Sequence, residues 1–372
     1  MKKAFANIVT SVLTAAALCI SVNITAVADD TLTPFETRYD LTSNHLVVDD
    51  LNFDGVKEIK TQAEWEEYVK SCVDRGYHYV FFKDTSGLTF DLNTFMNKND
   101  ITYAVTYAIT RSGKAYKGYE FTYTYSRDIL NAVKYGKESS LSTKQQQALQ
   151  DAKTFLAGLP EGISDYEKEL AIHNYVCEKL TYTQDHSLEN MTDCYGGLIL
   201  GRGNCMAYTD SFNLLCGLAG FNTGRVSCMT DSGAHSLNYI LIDGEYYFVD
   251  CTFDGGIEGE KGYGFFYFNL PYSIITKTHT FQYLPFEIKP GSDANGYYQH
   301  YGTYADSPDA LTQIYKKLAD ASAGGEILFN TANGTASLVD LFHAYHPAST
   351  SKIAISTCTI GNYQILRFSL TN

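Results

Sequence analysis

Gly201-Arg202-Gly203-Asn204-Cys205-Met206-Ala207-Tyr208 is the stretch on which the reading of this chain turns. Two glycines lead into a cysteine, and Ala207, Ser211, Leu214, Leu215 and Leu218 then recur at helical spacing. The run predicts a helix that Gly220 closes. Cys205 falls in its first turn, where unpaired N–H groups and the positive end of the helix dipole favour thiolate over thiol. Such a setting activates a nucleophile. Cysteine is also a small buried hydrophobe, and the chain has 9 of them, so position alone does not decide the role.

Two later residues add weight. Ala234 to Ile242 and Glu245 to Asp250 are β-rich runs joined by Asp243-Gly244, a strong signal for a hairpin with a two-residue turn. If Ile242 faces Glu245, Leu237 faces Asp250, and His235 becomes a diagonal neighbour of Asp250 on one face. Diagonal Cα separations are about 7–8 Å, within reach of an imidazole and a carboxylate. A slip of one residue would put the two on opposite faces. In the expected register Asp250 orients one ring nitrogen and turns the other toward a thiolate. Cys205, His235 and Asp250 then fill the roles of nucleophile, base and orienter.

Gly203, Cys205, Ala207 and Tyr208, then His235 and Asn238, then Asp250, Thr252, Phe253 and Asp254 together resemble the transglutaminase-like superfamily. The lead-in from Asp165-Tyr166-Glu167 to Tyr182, and Tyr195-Gly196-Gly197-Leu198, is similar to the family as well. The resemblance covers about residues 140–285. It implies an α+β, papain-like thiol core with a Cys205–His235–Asp250 triad. Two positions depart from the pattern: Leu237 stands where an aromatic is often found, and Phe253 where a tryptophan is usual. Tyr195 or Asn204 is expected to assist the Cys205 backbone N–H as an oxyanion donor.

The N-terminus carries Lys2 and Lys3, an apolar stretch from Ile8 to Ile20, and Ala26-Val27-Ala28. It reads as a secretory signal peptide cut after Ala28, which makes the mature chain an exported protein without a membrane span. Losing Lys2 and Lys3 leaves 26 basic against 42 acidic residues, a charge of −16. That argues against nucleic acid, anionic lipid or a polyanionic substrate as the main partner. Eight cysteines remain, without Cys-x-x-Cys spacing, and predict few or no structural disulfides. No metal or cofactor is expected. His343 and His346 lack two further zinc ligands. Asp50 to Gly55 begins like a calcium loop but ends on Thr61, so a turn is the better reading.

Around the core, residues 29–138 and 291–372 read as two small α/β modules flanking a thiol core over 139–290. Thr61-x-x-Glu64, Ser142-x-x-Gln145 and Ser164-x-x-Glu167 are capping boxes that open helices. A shift of 247 superposes Phe82 on Phe329, Gly87 on Gly334 and Phe95 on Phe342, the pattern expected if one module occurs twice. His173 reads as a packing or surface residue of the helix after Ser164.

Three functions remain open from sequence. One thioester chemistry serves either hydrolysis, by a peptidase or amidase, or amine transfer, by a cross-linking transglutaminase. The third is a non-catalytic surface protein. The substrate of either enzyme is a protein or peptide, a cell-wall peptide included.

Overall fold

The computed structural model describes residues 56–371 except 86, 88, 100, 112, 257–263, 289–292, 322–323, 336 and 347–351. The expected leader cut after Ala28 and the Asp50–Gly55 stretch lie outside these residues. Among the described residues, three four-stranded sheets follow one another along the chain, and helices pack on each. The architecture is α+β.

In the first sheet, Glu58–Ile59 runs parallel to Tyr79–Asp84, which pairs antiparallel with Lys114–Tyr123 and through it with Ile101–Arg111. Thr61 caps the helix Gln62–Asp74 by accepting from the Glu64 N–H. The Glu64 carboxylate reaches back to the N–H of Lys60, one residue before the cap. Trp65 is fully buried on this helix, stacked on Phe90 at 4.8 Å, and its indole N–H donates to the Tyr119 hydroxyl.

The last sheet has the same plan. Tyr304–Ala305 is parallel to Gly324–Asn330, which pairs with Tyr363–Thr371 and then Lys352–Ile360. The central register is the same as well: Tyr79 faces Glu120 and Glu326 faces Arg367, with 326 − 79 and 367 − 120 both equal to 247. Helices Leu92–Lys98 and Leu338–Tyr345 occupy equivalent places, each burying a phenylalanine, Phe95 and Phe342.

Between the two lies the sheet that carries the candidate site, ordered Thr280–Phe281, Thr223–Thr230, Gly233–Ile242, Glu245–Val249, all antiparallel. Ser142 and Ser164 each complete a capping box, opening Thr143–Ala157 and Asp165–Lys179. Helix Cys205–Leu218 is buried on nearly all sides, and Gly220 follows its end at φ +92°. A helix enclosed all round belongs at the centre of a core. Ile129 and Ala132, from helix Tyr125–Lys134, pack in the same apolar cluster as Phe212 and Leu215.

Polar residues on this central helix all face protein. Buried Asp210 accepts from the Ser126 backbone N–H and hydroxyl and from the Cys194 N–H. Asn213 accepts from the side chains of Asn238 and Thr223. Asp210 therefore ties the helix to two other segments. Asp210→Ala is expected to lower stability by about 3 kcal/mol, because it strands buried donors. The urea unfolding midpoint measures this.

Candidate active site

Backbone geometry before Cys205 explains the two glycines. Gly201 sits at φ +68°, a conformation that L side chains rarely adopt. At Gly203 a Cβ would lie 2.3 Å from the Ala207 Cβ and 2.8 Å from the Met191 carbonyl. The chain thus turns closely into the helix, with Arg202–Gly203 paired parallel to Thr181–Tyr182. Asn204 is the cap, its side-chain oxygen accepting from the Met206 N–H at 3.0 Å. Cys205 is the first helical residue and is partly exposed.

The hairpin takes the expected register. Ile242 faces Glu245 and Asn238 faces Val249, so Asp250 follows directly after the last strand residue. His235 Nε2 donates to Asp250 Oδ2 at 2.7 Å. Cys205 lies close enough for its thiol to raise the His235 pKa as well. Burial alone would lower the His235 pKa, but the Asp250 charge, its hydrogen bond and Cys205 pull it up to about 10. Phe253 stacks on the imidazole at 4.7 Å, supplying an aromatic wall where a tryptophan was expected. Leu237 is different. It is fully buried, in a cluster with Val226, Phe248 and Ile365, and lines no groove.

Asp250 is itself a helix cap. Its Oδ1 accepts from the N–H groups of Thr252 and Phe253. Its Oδ2 accepts from His235 and also from His279 Nε2 at 3.3 Å. The Thr278 hydroxyl lies 2.8 Å from His279 Nδ1, on the side of the ring away from the carboxylate. Burial opposes the carboxylate charge, yet the two histidines hold the Asp250 pKa well below the usual range.

Sequence reasoning missed His279. It lies 29 residues past Asp250, in a segment without periodicity, and no spacing announces it. The two side chains expected as oxyanion donors make other contacts. The Asn204 oxygen serves as the cap, and the Tyr195 ring lies under the Lys144 ammonium at 5.6 Å.

A second polar line lies inside the same core. Glu169, His173 and Cys177 share one face of helix Asp165–Lys179. Glu169 accepts from Asn269 at 2.9 Å, His173 Nε2 pairs with Asp254 Oδ2 at 3.0 Å, and the Cys177 thiol donates to the Cys251 carbonyl. His173 is fully buried and hydrogen-bonded, so it is no surface residue. Burial pushes the Glu169 carboxyl up to about 8, against the Asn269 bond and the His173 charge, which lower it.

Two groups of side chains offer metal-ligating atoms within 4.8 Å of one another: His235, Asp250 and His279, and His173, Cys177 and Cys251. In the first, both imidazoles already donate to the carboxylate. Among the described residues no helix is long and apolar enough to cross a membrane.

Cys205 at its helix start thus lies in one core with His235, whose imidazole is held by the carboxylate of Asp250 just past the neighbouring strand. Residues 154–251 match the model of the transglutaminase-like superfamily. No curated protein matches the chain. Among solved structures, it is similar to a TGase at 13% identity, covering 56% of this chain and 61% of that one, with a TM-score of 0.28. It is also similar to a candidate cysteine protease from Cytophaga hutchinsonii (11% identity, 41% and 65% covered, TM-score 0.26). A candidate protease from Parabacteroides distasonis gives 8% identity, 78% and 65% covered, and a TM-score of 0.27. The chain spans less than two thirds of the length of each of these three.

His279→Ala removes one of the donors that hold Asp250. Alkylation of Cys205 by iodoacetamide is expected to slow roughly tenfold, the equivalent of about 1.4 kcal/mol. Peptide mapping of a short labelling time course measures it.

Proposed function

We propose that the chain is a thiol acyl-transfer enzyme that hydrolyses amide bonds in a protein or peptide, cell-wall peptide included. What supports this reading is the His235 ring, hydrogen-bonded to the Asp250 carboxylate and near enough to Cys205 for that thiol to raise its pKa. Cys205 attacks the amide carbonyl, and its proton rests on His235. His235 then protonates the departing amine, leaving a thioester. Water attacks that thioester, His235 takes its proton, and the acid leaves with Cys205 restored. Asp250 stabilises the imidazolium throughout. The superfamily match supports an acyl-transfer thiol core. With the leader cut after Ala28, this chemistry takes place outside the cell.

Water is favoured over a lysine amine because one wall of a water-excluding tunnel is lacking. Phe253 covers one face of His235, whereas Leu237 is buried and shields nothing. The charge of −16 left without Lys2 and Lys3 favours lysine-bearing acceptors, but salt screens that field beyond about 8 Å. A glutamine-containing peptide supplied with a labelled primary amine separates the outcomes by mass. Free acid is expected to exceed adduct at millimolar amine, and Cys205→Ala to abolish both. An excess of adduct makes the protein a cross-linker. Loss of neither product in Cys205→Ala removes the thiol mechanism.

The pH profile follows from His235. Its pKa is raised, so the imidazolium persists through neutral pH and is lost as pH climbs through about 10. The kcat/KM profile is expected to show its alkaline limb there. Asp250→Asn removes the anion that raises the value, so the limb moves toward the ordinary 6.5 and turnover falls. An unmoved limb excludes Asp250 as the partner of the base.

A further inference from the structure

We propose that His173, Cys177 and Cys251 form a closed zinc site inside the core, separate from Cys205 and independent of the reaction that Cys205 performs. Their ligand atoms lie within 4.8 Å of one another. His173 Nε2 stands 3.6 Å from Cys177 Sγ, and a thiolate and an imidazole sharing a tetrahedral zinc are about 3.6 Å apart. The two sulfurs need to approach by at most about 1 Å to reach the spacing of two zinc-bound thiolates. Asp254 lies beside these three, with Oδ2 3.0 Å from the same nitrogen, and is the carboxylate that would shift in as the fourth ligand. Its Oδ1 is fixed by the Tyr267 N–H at 3.0 Å, which leaves Oδ2 directed at the cluster.

The ligand types and their seclusion choose the metal. Two thiolates with an imidazole and a carboxylate suit zinc, not magnesium or calcium. The side chains of His173 and Asp254 are 1% and 0% exposed and Cys251 is buried, with only Cys177 partly exposed, so the site is structural. His173 Nδ1 faces the Asn174 side-chain oxygen at 3.5 Å, the kind of acceptor that orients a metal-bound imidazole. On binding, both thiols release their protons and the His173 proton resides on Nδ1. The ion then joins helix Asp165–Lys179 to the turn that begins at Asp250. It acts as a staple behind the candidate triad.

The test uses the full chain carrying Cys205→Ala, so that the other thiol–imidazole pair takes no metal, kept reduced and titrated with cobalt(II). One equivalent is expected to give sulfur-to-cobalt charge transfer in the near ultraviolet and the strong visible bands of a tetrahedral site, both displaced by zinc. Adding Cys177→Ser or Cys251→Ser should remove the charge-transfer band of the intact site, with folding followed by circular dichroism. Should both serine variants unfold, alkylation mapping decides on the Cys205→Ala parent. Zinc must then protect Cys177 and Cys251 and leave the other thiols as they were. No charge transfer in the reduced parent overturns the proposal and leaves a hydrogen-bonded cluster only. A Cys177–Cys251 disulfide that takes no cobalt after reduction overturns it too. So does a band that survives Cys177→Ser unchanged.

Discussion

The Asp250 carboxylate is the constraint around which the core is arranged. It is buried, accepts from two imidazoles and two backbone N–H groups, and stands where strand Glu245–Val249 becomes helix Cys251–Gly255. A buried charge of this kind is tolerable only when donors surround it. The hairpin register, the cap of the short helix and the loop that delivers His279 must therefore all be right together. A slip of one residue at Asp243-Gly244 would break all three, since it exchanges the two faces of the strand. The site is in this sense a property of the turn.

What was legible in the sequence is what local chemistry dictates. Ser142 and Ser164 cap their helices as read, because a capping box closes within four residues. The Asp-Gly turn set the hairpin register, and with it the His235–Asp250 contact, within the single stretch 238–249. Contacts that join distant segments left no such trace. His279 reaches Asp250 from a segment with no helix or strand period, and His173 meets Asp254 across 81 residues. Leu237 looked like a gap in a groove wall because sequence shows the face of a strand but not what covers it. Here the cover is partly the last sheet, whose Leu328 and Ile365 share an apolar cluster with Leu237 and Phe248.

That docking gives the outer sheets unequal standing despite their common plan. The last sheet buries part of one face against the strands that carry His235, and Tyr298 bonds Glu326 across the join. The first sheet keeps a core of its own around Trp65 and connects to the centre through helix Tyr125–Lys134 and its Ser126–Asp210 bonds. Unfolding of the last sheet would expose the back of the candidate site, while the first has its own reserve of packed aromatics. The same register of strands thus supports two different mechanical roles.

Glu169 couples the fold to the acidity of its surroundings. Its ordinary value of 4.5 rises to about 8 on burial, so the carboxyl that is ionised in the open chain at neutral pH is protonated once enclosed. Folding therefore draws a proton from solvent between those limits. For an acid shifted upward, the native state is favoured fully below the lower value and loses that advantage as pH rises through the upper one. Mild alkali thus acts on a buried helix face, two turns from Cys177, before it reaches the His235 pair. The alkaline edge of that contribution is set by one enclosed glutamate, not by surface charges.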